Sequence, residues 1–189
     1  EESVGMVCSL DEVGQPYQMD NGILIMSTDF EIGEPINKSR NLNDYILDIG
    51  ITPNRGDCLS SLGIAREISS IIKKNIKSEY DYKDFIYDLK SDSNKLNVTI
   101  DSDDVRRYCL AKIDNLIVTK SPFWLKNSLA KFGISSVNNL VDATNYFMIT
   151  TGQPLHAFDS DLIDKSKIHI SDKIDSEIET LSNDICKTK

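Results

Sequence analysis

Apolar residues recur along this chain at two different spacings. At Leu59, Leu62, Ile64-Ala65, Ile68 and Ile71-Ile72 they repeat every three or four positions, which predicts an amphipathic helix running to about Lys74. Asp57 stands where its N-cap should be. A second, shorter helix is predicted in SPFWLKNSLAKFG, with Ser121 as cap, Pro122 at the first helical position and Gly133 as stop. A third runs through SVNNLVDATNYFMITTG, apolar at Val137, Leu140-Val141, Ala143 and Phe147-Met148, and closed by Gly152.

Between the helices the period drops towards two. GMVCSL and GILIMS read as short strands separated by turn-rich residues. DYILDIGI alternates with Tyr45, Leu47 and Ile49 on one side, and TPNRGD then breaks it, because Pro53 cannot continue a ladder. LNVTI (96–100), RRYCLAKIDNLIV (106–118), PLHAFD and KIHISD complete the predicted strands, with DLID as a turn. Residues 75–95 are polar and acidic and read as a linker, and from 171 onward the pattern weakens. No internal repeat or low-complexity tract interrupts this order. The predicted class is mixed α+β.

Composition narrows the reading. The 189 residues are 40% hydrophobic and 27% charged, which suits a globular chain able to bury a core. No apolar run reaches the length of a membrane span, and a soluble cytoplasmic protein is expected. Cys8, Cys58, Cys109 and Cys186 are widely spaced, so reduced and mostly buried thiols are expected rather than a zinc site or disulfide framework. The chain begins at Glu1 and stops at Lys189 without a closing pattern, and a piece of a longer protein is expected. Net charge is −9, which alone argues against a polyanion partner. Its distribution softens that: residues 1–36 carry −8, 37–77 carry +3, 78–104 carry −5 and 105–189 carry +1.

Two groups of residues carry candidate chemistry. In NRGD, Arg55 and Asp57 form either a structural pair fixing the strand-to-helix loop or a contact for a partner or phosphate. Thr144, Asn145 and His156 form the other group. His156 follows Asn145 by eleven positions, with a helix end and a Gly-Gln-Pro turn between them. Such a turn could return His156 to the last helical turn. Together the three side chains could hold a carbonyl and a water, but none is a strong nucleophile. The alternative is a core histidine satisfied by backbone and a helix-end asparagine. His169, flanked by Lys167 and Ser171, reads as a surface histidine, and Trp124 as core packing or an interface. Neither GxxxxGKS, GxGxxG nor HExxH occurs, so nucleotide-cradling and zinc-protease chemistry lack support.

Three stretches together resemble one family. GMVCSLDEVG resembles the end of the tRNA-binding oligonucleotide-fold domain of bacterial phenylalanine–tRNA ligase beta subunits. LDIGITPNRGDCLSSLGIAREIS resembles the ITPNR-DCLS-GIARE block of the same subunit. The stretch from RYCLAKIDNL through SPFWLKNSLAKFGISSVNNLVDATNYFMITTGQPLHAFDSDLI resembles the opening of its editing domain. The blocks follow the family's order over nearly all of residues 3–163.

The resemblance implies four segments. Residues 1–36 would be the tail of the oligonucleotide-fold domain, 37–77 a small strand-helix module, 78–95 a linker, and 96–189 the first part of the editing domain. The last would be a layered β/β/α sandwich with strands missing. The resemblance also implies hydrolysis of tyrosine misattached to phenylalanine tRNA, with Thr144, Asn145 and His156 at the matching pocket positions. In the family a glutamate well downstream of the histidine reads the tyrosine hydroxyl, and Glu177 and Glu179 lie too close behind His156 to be its counterpart. The implied partners are an alpha subunit and phenylalanine tRNA in a two-alpha, two-beta assembly. ATP and Mg2+ would serve that whole enzyme, with no cofactor held by this segment. A docking and tRNA-binding scaffold is the alternative. A free-standing editing protein is a third reading, which the ITPNRGDCLS block argues against.

Overall fold

The computed structural model describes residues 5–9, 12, 22–25, 31–38, 44–76, 96–163, 167–173, 176–179 and 184–188. They gather into two units that interleave along the chain. One comprises Glu1–Lys77 with Ile117–Ala157, the other Ser78–Leu116 with Phe158–Lys189.

The first unit is built on three helices: α1 (Ser61–Ile72), α2 (Phe123–Ala130) and α3 (Asn139–Thr151). Its buried apolar residues are Cys58, Leu125, Leu129 and Ala130, so the core lies where α2 meets α3 and where the turn before α1 tucks in. The cap of α1 is Ser60, whose hydroxyl accepts from the Gly63 amide at 3.1 Å. Asp57, expected in that role, sits earlier, in a short 3-10 turn at Gly56–Cys58. That turn passes so close to α1 that a Cβ on Gly63 would lie 1.9 Å from the Asp57 carbonyl oxygen. The helix stops at Ile72, with Lys73 left-handed at φ 52°.

The second helix also starts one residue later than expected, with Pro122 in the capping position and no side-chain cap. The Ser121 hydroxyl is engaged elsewhere, on Asp142. The third helix has the predicted end: Gly152 takes φ 82° and returns its amide to the Met148 carbonyl at 2.8 Å. At its start the Asn138 side chain accepts from the amides of Leu140 (3.1 Å) and Val141 (2.9 Å).

The second unit contains two small sheets. Strands β1 (Asn97–Asp101) and β2 (Lys167–Ser171) pair in parallel, Asn97 against Lys167 through Asp101 against Ser171. Lys173 bonds Asp101 at 2.6 Å and Ser102 bonds Asp172 at 3.0 Å just beyond the pair. Strands β3 (Ser176–Glu179) and β4 (Ile185–Thr188) form an antiparallel hairpin in the region where the sequence pattern fades. Glu177 pairs with Lys187 across it at 3.1 Å.

Several expected strands are absent. Residues 44–51 have no ladder partner among the described residues, and Tyr45, Leu47 and Ile49 are exposed. Alternation favours a strand only when another strand accepts its hydrogen bonds. Residues 106–118 are irregular; Asn115 is left-handed at φ 61°, which ends any extended run, and 111–120 are exposed throughout. PLHAFD is irregular too, while DLID does turn, as a 3-10 turn at Ser160–Leu162. GMVCSL and GILIMS meet only at an antiparallel bridge between Ser9 and Ile23, their described part being 5–9 and 22–25. The predicted linker lies mostly outside the described residues. All four thiols are free, but Cys109 and Cys186 are exposed and Cys8 half-buried, leaving Cys58 alone buried. The mixed helix-and-sheet class holds.

Candidate functional site

The helix α3 carries two of the three candidate residues. Thr144 and Asn145 occupy consecutive half-buried positions in its middle. The Thr144 hydroxyl donates to the Val141 carbonyl at 2.7 Å, so its proton is engaged and its oxygen is left to accept. His156 lies in the same unit, on the irregular segment that leaves α3 through Gly152-Gln153-Pro154. Gln153 shapes that exit: its amide donates to the Thr151 hydroxyl at 3.2 Å and its side chain to the Pro154 carbonyl at 3.2 Å. The imidazole of His156 is exposed, which rules out a core histidine. His169, on β2, is exposed as expected.

What fixes α3 is a set of polar residues that the sequence pattern did not single out. Asp142, one turn into the helix, is fully buried. Its carboxylate accepts from the Ser121 hydroxyl at 2.5 Å, from the Ser136 hydroxyl, and from the Val137 amide at 2.9 Å. Burial alone would push its pKa up, and is the largest single influence. The bonds from Ser121, Ser136 and Val137 together outweigh it, so the carboxyl sits below its ordinary value and is charged.

Asn139 adds a second tie. Its side chain accepts from the Thr119 amide at 3.0 Å and donates to the Ile117 carbonyl at 3.0 Å, while its own amide donates to Thr119 at 2.9 Å. The signal available in sequence was a lone acidic residue amid Leu140-Val141 and Ala143. Trp124, half-exposed on α2, meets Tyr146 of α3 edge-on at 5.5 Å, an interhelical packing contact.

The NRGD turn resolves as a structural pair. Thr52 accepts from the Arg55 amide at 2.9 Å, closing a turn with Pro53 in its second position. The Arg55 guanidinium forks onto Asp57 at 3.0 and 2.9 Å and reaches Glu67 of α1 at 2.5 Å. That fork holds Asp57 down at about 2 and raises the affinity of Arg55 for its proton, with Asp57 contributing first and Glu67 next. Burial pushes the Cys58 thiol up. Asp57, Cys58 and Glu67 gather ligand atoms within 4.8 Å of one another, but Arg55, a permanent cation, already bonds to all three. The trio does not suit a metal ion.

Comparison with known proteins bears on the whole chain. Residues 104–188 match the B3/4 domain family. The chain is 40% identical over 181 residues to the phenylalanine–tRNA ligase beta subunit of Streptococcus thermophilus strain CNRZ 1066, covering 93% of this chain and 22% of that protein. The corresponding subunit of Streptococcus agalactiae serotype Ia is 40% identical over 172 residues, or 88% of this chain and 21% of that protein. The subunit of Streptococcus pyogenes serotype M1 gives the same identity and coverage. The chain therefore spans about a fifth of the length of the curated relatives it matches. No described helix is long and apolar enough to cross a membrane. The resemblance carried by the three sequence blocks is thus supported by direct comparison: this chain is related to the phenylalanine–tRNA ligase beta subunits.

Proposed function

We propose that the chain acts as part of a phenylalanine–tRNA ligase beta subunit and contributes Thr144, Asn145 and His156 to a site that hydrolyses tyrosyl-tRNA mischarged on phenylalanine tRNA. The observation that carries this reading is the similarity over 93% of the chain to subunits of that name. In this reading residues 1–36 end an oligonucleotide-fold domain, 37–77 form a small module and 96–189 open the editing domain. An alpha subunit, tRNA and a cytoplasmic two-alpha, two-beta assembly belong to the same proposal. ATP and Mg2+ would serve aminoacylation elsewhere in that enzyme, and no step at this site passes through them.

Editing answers a physical problem. An apolar pocket shaped for phenylalanine rejects an analogue bearing one added hydroxyl by only about a hundredfold. Hydrolysis of the activated ester asks for a positioned carbonyl, an oriented water and donors for the developing oxyanion. Asn145 offers a donor and an acceptor, Thr144 an acceptor, and His156 an exposed imidazole able to orient the ester or the water.

The test is deacylation of tyrosyl-tRNA by this chain and by a form extended through the downstream glutamate. Hydrolysis by the extended form, abolished by His156→Ala, is expected. No hydrolysis by either, even with the alpha subunit present, would defeat the reading. A docking scaffold is the second reading, favoured by the exposed Ile117 and Val118 of the first unit. Asn145→Ala with His156→Ala separates the two: lost proofreading with normal charging supports editing, and lost assembly supports scaffolding.

A further inference from the structure

We propose that Asp142 is a positioning residue for the site on α3, setting the rotation and depth of the helix that presents Thr144 and Asn145. The inference rests on the editing reading above and deepens it.

The carboxylate stands two and three residues before the site pair and is wholly buried. Its three donors come from two separate stretches of chain: Ser121 before α2, and Ser136 with Val137 before α3. Three bonds from two directions fix a side chain against both sliding and rotation, which a single cap bond cannot do. Asn138 and Asn139 hold the same end of the helix, but from its tip and along the 117–119 segment. Asp142 is the tie inside the first turn. Its carboxylate can accept all three bonds because it carries no proton of its own to place.

The lever is short and steep. Helical side-chain atoms lie about 5–6 Å from the axis, so a rotation of about 10° moves them about 1 Å. A misplacement of that size costs about a hundredfold in a positioned reaction. An amide could keep all three bonds, its oxygen accepting from Val137 and its NH2 donating to the two hydroxyl oxygens, so the substitution that removes the tie is Asp142→Ala.

The experiment uses the beta subunit bearing this segment, assembled with its alpha subunit, and compares Asp142→Ala with His156→Ala. Asp142→Ala is expected to lower kcat for tyrosyl-tRNA deacylation about 10- to 100-fold, with KM and phenylalanine charging within about twofold of the parent. A lowered melting temperature with parental kcat would make Asp142 a stability residue only and overturn the inference, while loss in His156→Ala leaves the editing reading standing. If His156→Ala deacylates at the parental rate, the editing reading fails and the inference falls with it. If Asp142→Ala does not assemble, Ser121→Ala with Ser136→Ala decides. Parental kcat in that variant overturns the proposal, and a loss of about tenfold or more sustains it.

Discussion

Asp57 and Asp142 both stand near the start of a helix and both release their protons more readily than an ordinary aspartate, but by opposite means. Asp57 is exposed and held by one rigid cation, the Arg55 fork, which also grips Glu67. Asp142 is sealed from water and held by two hydroxyls and an amide, with burial working against it. Water can replace the Asp57 pairing at little loss. Water has no such access to the bond between Asp142 and Ser121, because both residues are buried. Removing the buried carboxylate leaves the buried Ser121 hydroxyl without its acceptor; removing the exposed one returns its partners to solvent.

That contrast yields a ranked set of outcomes. Asp142→Ala should cost about 3 kcal/mol in urea unfolding, since it leaves the buried Ser121 hydroxyl unpaired and empties a fully buried position. A loss below about 1 kcal/mol would mean the donors find other partners. On the Asp57 side the larger effect comes from packing. Gly63→Ala places a Cβ 1.9 Å from the Asp57 carbonyl, and should cost about 2 kcal/mol as the turn and α1 separate. Asn138→Ala, which removes the cap of α3, should cost about 1 kcal/mol by the same assay. The smallest effect is that of Asp57→Ala. Its urea midpoint should approach the parental value in about 0.5 M salt, where exposed charges are screened within about 4 Å.

Acid titration sharpens the comparison. Both pKa values are lowered by folding, so each aspartate contributes stability that is complete above the ordinary 3.8 and lost as pH falls through its folded value. For Asp57 that loss runs from 3.8 to about 2. Asp142→Asn should flatten the Asp142 share of the acid slope while leaving the Asp57 share intact. An unchanged slope would show that the buried carboxylate has the same proton affinity in the unfolded chain.

The helices were legible because their information is local. Gly152 ends α3 where a glycine after Thr151 should, and the α1 stripe needed only its own spacing. Caps were less legible: Ser60 and Asp57 are both good caps by type, and only the close approach at Gly63 decides between them. Strands failed where partners decide. Residues 44–51 and 106–118 have strand-like composition, but no described neighbour accepts their hydrogen bonds, and Asn115 turns the second run aside. The β3–β4 hairpin was missed because Glu177 and Lys187 support it only once they face each other. The site residues came from a polar group set around a turn, with their role added by resemblance. Asp142 did not, because Ser121 stands 21 residues away and nothing in the spacing joins them.

The parallel pairing of β1 with β2 has a kinetic consequence. Its partners lie 70 residues apart, as Asn97 and Lys167 do, whereas α2 and α3 are close neighbours in sequence. Closing so long a loop spends chain entropy before any ladder bond repays it. Amides of α2 and α3 should therefore gain protection first in pulse-labelled refolding, and those of β1 and β2 last. The helix that carries Thr144 and Asn145 would take shape early, and the strands that need distant partners would be the slow step.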